Sequence, residues 1–333
     1  MSDIALTVGV SAMTVSRALN QPDSVAKETR DKIHEVINSQ GYVVNEVAGS
    51  LRSKRSRGVV CIVPHIANSV FSDTFQGLND ALRPAGMHVI LGTSGYSSEE
   101  ESRVLAELAR LRPEAVVLWG TRRHPKSRAL LRQLGVHVIE IFDYVLDPFD
   151  QVIGFSNEQA MQAMANHLLR TGKSRIAFVG STNELDVGST RRMHGWRTAL
   201  QEAGIETDCL LFEADASTVG GELILQKMNS SGLGIDAVCC ANDLLGIGIL
   251  SACRRMEISV PDDLAIAGFG DYPVSQSVHP PLTTVRIPRY QIGKIAGEQI
   301  LNRMAGIPTT IQAIDLGFEI IERESTTVAA TLI

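Results

Sequence analysis

Apolar residues recur at helical spacing in two short stretches at the start of the chain, with a glycine between them. The stretches run from Asp3 to Val8 and from Ala12 to Asn20, and each places its apolar side chains on one face. These side chains are Ile4, Ala5, Val8, Val15, Ala18 and Leu19. We predict two short helices that flank a turn at Gly9, which is helix-turn-helix geometry. A third helix is predicted after Ser24 as its cap, with a core face of Val25, Ile33, Val36 and Ile37.

The other face of the second predicted helix has a different chemistry. It carries residues at positions i, i+3, i+4 and i+7, namely Met13, Ser16, Arg17 and Asn20. Ser11 lies where an N-cap belongs, and the same helix start can dock on a phosphate. Arg17 can span the O6 and N7 acceptors of guanine, a contact worth ~1–3 kcal/mol against a wrong base. The pattern predicts a helix that reads DNA, and the alternative is a surface helical hairpin with an incidental arginine.

From Gly58 onward, short β-branched runs alternate with amphipathic helical stretches. Eight runs have the composition and length of strands: 58–63, 87–91, 114–119, 136–141, 175–180, 209–213, 236–241 and 264–269. Helical patterns at 71–85, 98–111 and 126–134 separate the first set. Apolar strands that alternate with helices predict an α/β fold of parallel sheets covered on both faces, and two successive sets predict two Rossmann-like lobes.

The residues that follow each strand are the candidates for a binding site, because ligands lie beyond the carboxyl ends of the strands in open α/β sheets. They are Phe71, Thr121, Arg122, Arg123, His124, Asp143, Asn242, Asp243 and Asp271. Several arginines at one cleft favour a carboxylate or phosphate ligand. The alternatives are that Phe71 is ordinary core, that Asp243 is a helix cap, that His124 is solvated, and that Arg122 and Arg123 form salt bridges on a rim.

Length and charge refine this picture. A chain of 333 residues predicts two or three compact units. The net charge is −6, yet residues 1–57 hold eight Lys and Arg against six Asp and Glu. Arg52, Lys54, Arg55 and Arg57 form a basic run without an acid. An acidic body with a basic head is typical of a regulator that grips DNA at one end.

Cysteine usage and apolar runs indicate a soluble cytoplasmic protein. The five cysteines form no C-x-x-C pair and lie in apolar segments, which favours reduced thiols in a core. We expect neither a signal peptide nor a membrane span, since no apolar run approaches ~20 residues. No metal or cofactor is predicted. An α/β enzyme is an alternative interpretation, but the absence of the G-x-G-x-x-G, G-x-S-x-G and Walker A motifs speaks against it. A sugar-binding protein without a DNA role is a second alternative.

The stretch GVSAMTVSRALN at 9–20, followed by VAKETRDKI and GYVVNEVAGSLRS, resembles the DNA-binding headpiece of the LacI/GalR repressor family. The resemblance extends through the whole chain. It implies that Ala12, Met13 and Arg17 choose the operator sequence, while Thr14 and Ser16 contact phosphates. Fewer residues precede Asp3 than is usual in the family, so either the start is misplaced or the first helix is short.

Residues 45–57 form a predicted linker, which the resemblance implies to be a hinge helix. A leucine at the position of Leu51 then wedges between base pairs in the minor groove, and Arg52 follows it. Because so short a helix is marginal in water and Gly49 weakens it by ~1 kcal/mol, we expect it to form on DNA. The alternative is a plain tether. The predicted domains are a headpiece at 1–44, hinge and linker at 45–57, and a two-lobed body at 58–333.

The resemblance implies a periplasmic-binding-protein architecture for the body, with three crossings between lobes. Two of them are expected around Thr283 to Arg289 and Asp315 to Phe318. The resemblance also implies effector contacts for Phe71, Asp143 and Arg192, the last within the motif R-x-x-G-W. The segments IGFSNEQA, DDLAIAGFGDY and DLGF are most similar to the gluconate-utilisation repressors of the family. We therefore expect a repressor, a homodimer or higher oligomer, controlled by gluconate or a phosphorylated relative, with neutral sugars and purines as alternatives.

Overall fold

The computed structural model describes residues 2–40, 56–66, 69–182, 186–308 and 311–327. The chain divides into two compact units, Met1–Ser56 and Arg57–Ile333. Within the described residues, no helix has the length and apolar character needed to cross a membrane.

The N-terminal unit consists of three helices around a small apolar core. They are α1 (Ser2–Val8), α2 (Ala12–Asn20) and α3 (Lys27–Ser39). The buried side chains are Ile4, Ala5, Val15, Ala18, Ile33 and Ile37. Gly9 joins α1 to α2 with a φ of 74°, a left-handed conformation that favours glycine. The predicted helix-turn-helix and its core are confirmed.

The start of the third helix differs from the prediction. Ser24 lies in a short 3-10 turn, Pro22–Ser24, and its hydroxyl donates to the Gln21 carbonyl oxygen at 2.7 Å. Proline fixes φ at a value that suits the start of this turn. Val25 is then extended, and α3 begins at Lys27 without a side-chain cap. Ser24 is therefore a turn residue, and its predicted role as the cap of α3 is wrong.

The first lobe of the body is a six-stranded parallel sheet in the order β11-β5-β4-β3-β1-β2. Its strands are β1 (Gly58–Val63), β2 (His88–Thr93), β3 (Ala115–Trp119), β4 (His137–Ile141), β5 (Gln151–Gly154) and β11 (Ala313–Asp315). Its helices are α4 (Ser69–Leu82), α5 (Ser98–Ala109), α6 (Pro125–Leu134) and α11 (Arg289–Met304). The central strands β1 and β4 are buried along their whole length, as their apolar composition predicts.

The second lobe repeats this plan with the strand order β12-β10-β9-β8-β6-β7, in which only the β10–β12 pair is antiparallel. Its strands are β6 (Ile176–Gly180), β7 (Leu211–Glu213), β8 (Ala237–Cys240), β9 (Ala265–Phe269), β10 (Thr283–Arg286) and β12 (Glu319–Ile321). Its helices are α7 (Asn157–Arg170), α8 (Val187–Glu202), α9 (Thr218–Ser230) and α10 (Asp243–Arg255). Two α/β lobes are thus confirmed.

The chain passes between the lobes three times. It leaves the first lobe after β5, at 155–156, and returns after β10, at 287–288. The third passage, at 316–318, joins β11 of the first sheet to β12 of the second. Both late crossings lie within the predicted segments.

Four of the five cysteines are buried and free, as expected, but Cys209 is exposed. The apolar run that contains it begins as a 3-10 turn, Asp208–Leu210, and only Leu211–Glu213 forms β7. Placing all five thiols in the core was therefore wrong for Cys209, because a turn at the edge of the sheet leaves its side chain outside.

Helices α4 and α11 touch through glycines that face the neighbouring backbone. A Cβ atom on Gly293 would overlap the Thr74 carbonyl oxygen, and one on Gly77 would overlap the Tyr290 carbonyl oxygen. The Thr74 hydroxyl also donates to the Arg289 carbonyl oxygen at 2.8 Å. This close contact returns α11 to the first lobe after the second crossing.

Replacing Gly293 with alanine should lower stability, although alanine favours a helix by ~1 kcal/mol over glycine. The added methyl group must push α4 and α11 apart, and overpacking of this kind costs ~1–3 kcal/mol or more. We expect Tm to fall by several degrees in differential scanning calorimetry. The control is Lys294→Ala on the exposed side of α11, which should stay within ~0.5 kcal/mol of the parent. An unchanged Tm for Gly293→Ala would contradict the close packing.

Candidate DNA-reading helix and ligand cleft

The start of α2 is capped as the sequence predicts. The Ser11 hydroxyl accepts the Thr14 backbone N–H at 3.1 Å, and the two hydroxyl groups lie 2.9 Å apart. The cap satisfies one of the N–H groups that a helix start leaves unpaired. It also holds the next residues of α2 in a fixed orientation.

The two faces of α2 have the predicted division. Val15 and Ala18 are buried in the core, whereas Ala12, Met13 and Arg17 are exposed. Met13 is 58% exposed, so this face of the helix presents apolar as well as polar surface. Thr14 and Ser16 are half-buried, and Asn20 ends the helix. The other two DNA-binding candidates, Leu51 and Arg52, lie outside the described residues.

The ligand cleft lies between the lobes, at the carboxyl ends of their strands. It has a volume of about 60 Å³, and four sequence-predicted residues line it: Phe71, Asp143, Arg192 and Asn242. Thr121, Arg122 and Asp271 do not line it. This is the position that the topology of open α/β sheets predicts.

Arg192 projects from α8 into the cleft and is held from several sides. Its Nε donates to the Asn157 Oδ1 at 3.1 Å and to the Gly188 carbonyl oxygen at 3.0 Å, and its Nη1 donates to the Ala241 carbonyl oxygen. Its guanidinium carbon lies 4.3 Å from the centre of the Phe269 ring, within range of a cation–π interaction. A planar cation with a fixed orientation therefore faces the cleft.

The rest of the R-x-x-G-W motif explains why α8 presents Arg192 in this way. A Cβ atom on Gly195 would overlap the Glu158 carbonyl oxygen, so the glycine allows α8 to lie directly on α7. Trp196 is fully buried, and its Nε1 donates to the Ile176 carbonyl oxygen at 3.1 Å. Glycine and tryptophan fix the helix, and the arginine one turn earlier faces the cleft.

Asp143 is the acidic residue of the cleft and is only 2% exposed. The Thr121 hydroxyl donates to its Oδ2 at 3.1 Å, and the Tyr144 backbone N–H donates to its Oδ1 at 3.1 Å. Burial raises the pKa of the Asp143 carboxyl above its ordinary value, although the Arg191 guanidinium opposes this shift. Thr121 therefore orients Asp143 from behind the cleft wall.

Polar contacts join the two lobes at this point. Arg191 of α8, in the second lobe, places its Nε 3.2 Å from Asp143 Oδ2, in the first lobe. The Asn157 side-chain amide, at the start of α7, donates to the Phe142 carbonyl oxygen at 2.9 Å. Asn157 also accepts from Arg192. The Asn157 amide nitrogen lies 3.5 Å from Asp143 Oδ1. A chain of polar contacts thus runs from Arg192 through Asn157 to Asp143 and Arg191, and we call it the interlobe chain.

At the start of α10, Asn242 and Asp243 have separate tasks. Asn242 lines the cleft and is the N-cap, because its Oδ1 accepts the Leu245 N–H at 3.0 Å. Asp243 is fully buried and accepts bonds from the Tyr272 N–H, the Ser275 hydroxyl and the Thr284 hydroxyl. Burial raises its pKa. Asp243 is neither the helix cap nor a cleft residue, and it ties α10 to β10.

Arg123 was predicted to be one of several cationic donors at the cleft, and this prediction is wrong. Its side chain is 1% exposed, lies 3.3 Å from Glu101 Oε2 and 3.7 Å from Glu140 Oε1, and donates to the Trp119 carbonyl oxygen. These salt bridges are buried and do not lie on a rim. His124 caps α6 by accepting the Lys126 N–H on its Nδ1. Arg122 lines an adjoining cavity, whose walls come from the first lobe and from Val187 of the second.

Asp271 was predicted to contact the ligand, but its side chain lies away from the cleft. Its carboxylate lies 2.7 Å from Arg286 Nε and 2.6 Å from Arg323 Nη2. Only its neighbours Gly270 and Tyr272 line the cleft. Asp271 has a φ of 49°, and this turn directs its side chain to the two arginines.

Sequence reasoning missed several cleft residues, chiefly Tyr96, Trp119, Asn157 and Asp186. Three of these follow β2, β5 and β6, so applying the same rule to every strand would have found them. Trp119, the last residue of β3, packs edge-on against Tyr96 with 5.2 Å between ring centres and against Phe71 with 6.4 Å. Phe71 is 5% exposed, so it belongs to both the core and the cleft wall.

Comparisons with known proteins agree with this architecture. Residues 1–45 match the family described as bacterial regulatory proteins of the lacI family, and residues 165–326 match a periplasmic binding protein-like domain. The chain is 35% identical to the HTH-type transcriptional regulator GntR of Pseudomonas aeruginosa, over 98% of this chain and 95% of that protein. It is 30% identical to the regulator of that name from Escherichia coli over 96% of each.

Solved structures give the same result. A LacI family transcriptional regulator from Silicibacter pomeroyi superposes with a TM-score of 0.90 at 30% identity, covering 97% of this chain and 98% of that one. A complex of the transcriptional regulator CelR with cellobiose superposes with a TM-score of 0.72 at 26% identity, with the same coverage. These relatives are regulators, which decides against the enzyme alternative. The chain therefore belongs to the LacI family of bacterial regulatory proteins, and it is a DNA-binding transcriptional regulator.

Proposed function

We propose that this regulator represses transcription as a homodimer and that a small polyhydroxylated acid in the cleft controls its binding to operator DNA. The observation that carries the proposal is the position of Arg192, a guanidinium group fixed in a cleft between two lobes that are hydrogen-bonded to each other. Gluconate and a phosphorylated relative are the first candidates for the acid. A repressor of this kind acts on chromosomal DNA, so we also propose the cytoplasm as its compartment.

The exposed residues of α2 support the operator part of the proposal. Ala12, Met13 and Arg17 project from the first two turns of a capped helix, which is the part of a recognition helix that contacts base edges. One headpiece offers few contacts, so a dimer that reads two half-sites in successive major grooves supplies the needed affinity. Ser11, Thr14 and Ser16 supply hydroxyl groups that suit phosphate contacts.

The chemistry of the cleft supports an acidic, hydroxylated effector. The forked donors of Arg192 match a carboxylate, whereas Asp143 accepts hydrogen bonds from hydroxyl groups. Phe71 and Trp119 offer an apolar wall to the carbon skeleton. The related CelR structure is a complex with a sugar, cellobiose. Recognition of the acid would thus depend on Arg192, because Arg123 is buried beside Glu101 and Glu140.

Coupling between effector and DNA would act through the interlobe chain. A ligand hydroxyl that donates to Asp143 joins the bonds that Arg191 and Asn157 make across the lobes. The ligand then prefers one lobe arrangement, and it can shift the equilibrium only by its difference in affinity between the two. Operator DNA changes the effector affinity by the same factor, so a titration of either one gives the sign of the coupling.

Arg17→Ala should relax base specificity at one position of each operator half-site. Loss of a bidentate contact removes ~1–3 kcal/mol of discrimination, which fluorescence anisotropy with single-base operator variants can measure. The matched control is Lys32→Ala, which removes one positive charge from an exposed i,i+4 pair on α3. That variant should leave the ranking of operator variants unchanged. If Arg17→Ala lowered the affinity for every operator variant by the same factor, this arginine would contact the phosphate backbone and not a base.

Arg192→Lys should weaken gluconate binding by about ten- to a hundredfold, since a bond to a charged group contributes ~1.5–3 kcal/mol and lysine lacks the fork. Calorimetric titration with gluconate and with glucose measures this effect, and operator affinity without effector should not change. Arg254→Lys, at the end of α10, makes the same exchange away from the cleft and serves as the control. If the parent protein binds glucose and no acid, the proposed effector class is wrong.

Effector affinity should fall as the pH is lowered toward the range in which an ordinary aspartate titrates, and the fall should begin above that range. Burial raises the pKa of Asp143, so this carboxyl takes up a proton at a higher pH than an ordinary aspartate and stops accepting a hydrogen bond on that oxygen. Calorimetry across this range would show the decline in the parent. The variant Asp143→Asn should bind gluconate weakly with little pH dependence, and an unaltered pH profile in that variant would exclude Asp143 as the titrating group.

A further inference from the structure

Helix α8 contains two glycines, and a side chain at each of them would meet a different kind of neighbour. At Gly195, a Cβ atom would overlap a backbone carbonyl oxygen of α7. At Gly188, the nearest atom is Arg192 Nη2, only 2.6 Å from the place that a Cβ atom would occupy, and the next is Arg192 Cζ at 3.6 Å. Gly188 also lines the cleft. The missing side chain of Gly188 therefore leaves room for a guanidinium group, whereas that of Gly195 leaves room for a helix.

The backbone does not itself require glycine at position 188. Gly188 is the second residue of α8, and its φ is not in the left-handed region for which a chain usually needs glycine. A Cβ atom there would lie 3.7 Å from Asp186 Oδ1, which is ordinary van der Waals contact. Asp186 could thus still cap α8 by accepting the Ser189 N–H. Among the atoms nearest to position 188, the guanidinium group alone is too close for a side chain.

Arg192 could not move aside without losing its own contacts. Its Nε donates to Asn157 Oδ1 at 3.1 Å and to the Gly188 carbonyl oxygen at 3.0 Å. Its Nη1 donates to the Ala241 carbonyl oxygen, and its guanidinium carbon lies 4.3 Å from the centre of the Phe269 ring. Since non-bonded atoms need ~3.5 Å, a methyl group at position 188 would move Nη2 by ~1 Å. The guanidinium group is planar and rigid, so Nε and Nη1 would move with it.

We propose that Gly188 is a positioning residue for acid recognition, because its missing side chain lets the Arg192 guanidinium lie over the first turn of α8 in the orientation that binds the effector. This inference rests on the proposed function, since it takes Arg192 as the group that binds the acid. In the part of the chain that the structure describes, Nη2 donates to no other residue, so it is the nitrogen left for the acid group.

Gly188→Ala should weaken gluconate binding about tenfold or more in calorimetric titration of the full chain, because it displaces the guanidinium group. Its Tm should stay within ~2 °C of the parent, since alanine favours a helix over glycine and no backbone atom has to move. The matched control is Gly246→Ala in α10, where a Cβ atom would lie 3.1 Å from the Leu282 side chain, outside the cleft. That variant should keep the gluconate affinity of the parent.

A double-mutant cycle separates positioning from a simple loss of space in the cleft. The Arg192→Lys variant has no guanidinium group to displace, so adding Gly188→Ala to it should change the gluconate affinity by less than about twofold. If the double variant instead showed the full additional loss, the methyl group would act by narrowing the cleft, and the inference would be overturned.

A third measurement needs no ligand. In the ¹⁵N-labelled full chain, the Arg192 Nε–H resonance is the one that Arg192→Lys removes, and its two acceptors should protect it from exchange with water. Gly188→Ala should abolish this protection, and Gly246→Ala should keep it. A protected resonance in Gly188→Ala, with or without a lower Tm, would mean that the helix start had moved and not the arginine, which overturns the inference. If the parent binds glucose and no acid, the proposed function fails, and this resonance still decides whether Gly188 positions Arg192.

Discussion

The interlobe chain across the cleft is the interaction on which the rest of the ligand-binding body depends. Arg192 and Arg191 are neighbours on α8, yet one faces the ligand space and the other reaches Asp143 in the opposite lobe. Their positions follow from Gly195, which brings α8 against α7, and so ultimately from helix packing in the second lobe. A guanidinium group that lines the cleft and one that joins the lobes are thereby held by the same helix.

Much of the fold could be predicted from the sequence, because it follows from periodicity. The two faces of α2, the alternation of strands and helices, and the late crossings near Thr283 and Asp315 all depend on local patterns of apolar residues. Two local predictions were wrong, for Ser24 and for Cys209, and in each case a neighbouring turn explains the difference. Pro22 started a 3-10 turn that took up Ser24, and the turn before β7 placed Cys209 outside the core.

The cleft was less predictable, because the sequence shows which residues follow a strand but not where their side chains turn. Phe71, Asp143, Arg192 and Asn242 line it as expected. Arg123 instead turns inward to two glutamates, one on α5 and one on β4, that are distant in sequence. Asp271 likewise turns to Arg286 and Arg323. Such long-range charge pairs leave no periodic signal, and they decide which charged groups a ligand can meet.

The exposure of Cys209 has a practical consequence. Burial raises the pKa of the Cys61 thiol to about 12 and that of the Cys253 thiol to about 11. Burial in the core also raises the pKa values of the Cys239 and Cys240 thiols. Thiol reagents act on the thiolate, so the folded native protein offers them a single accessible target in its second lobe. A fluorescent dye could therefore be attached to this one cysteine in an otherwise unaltered chain.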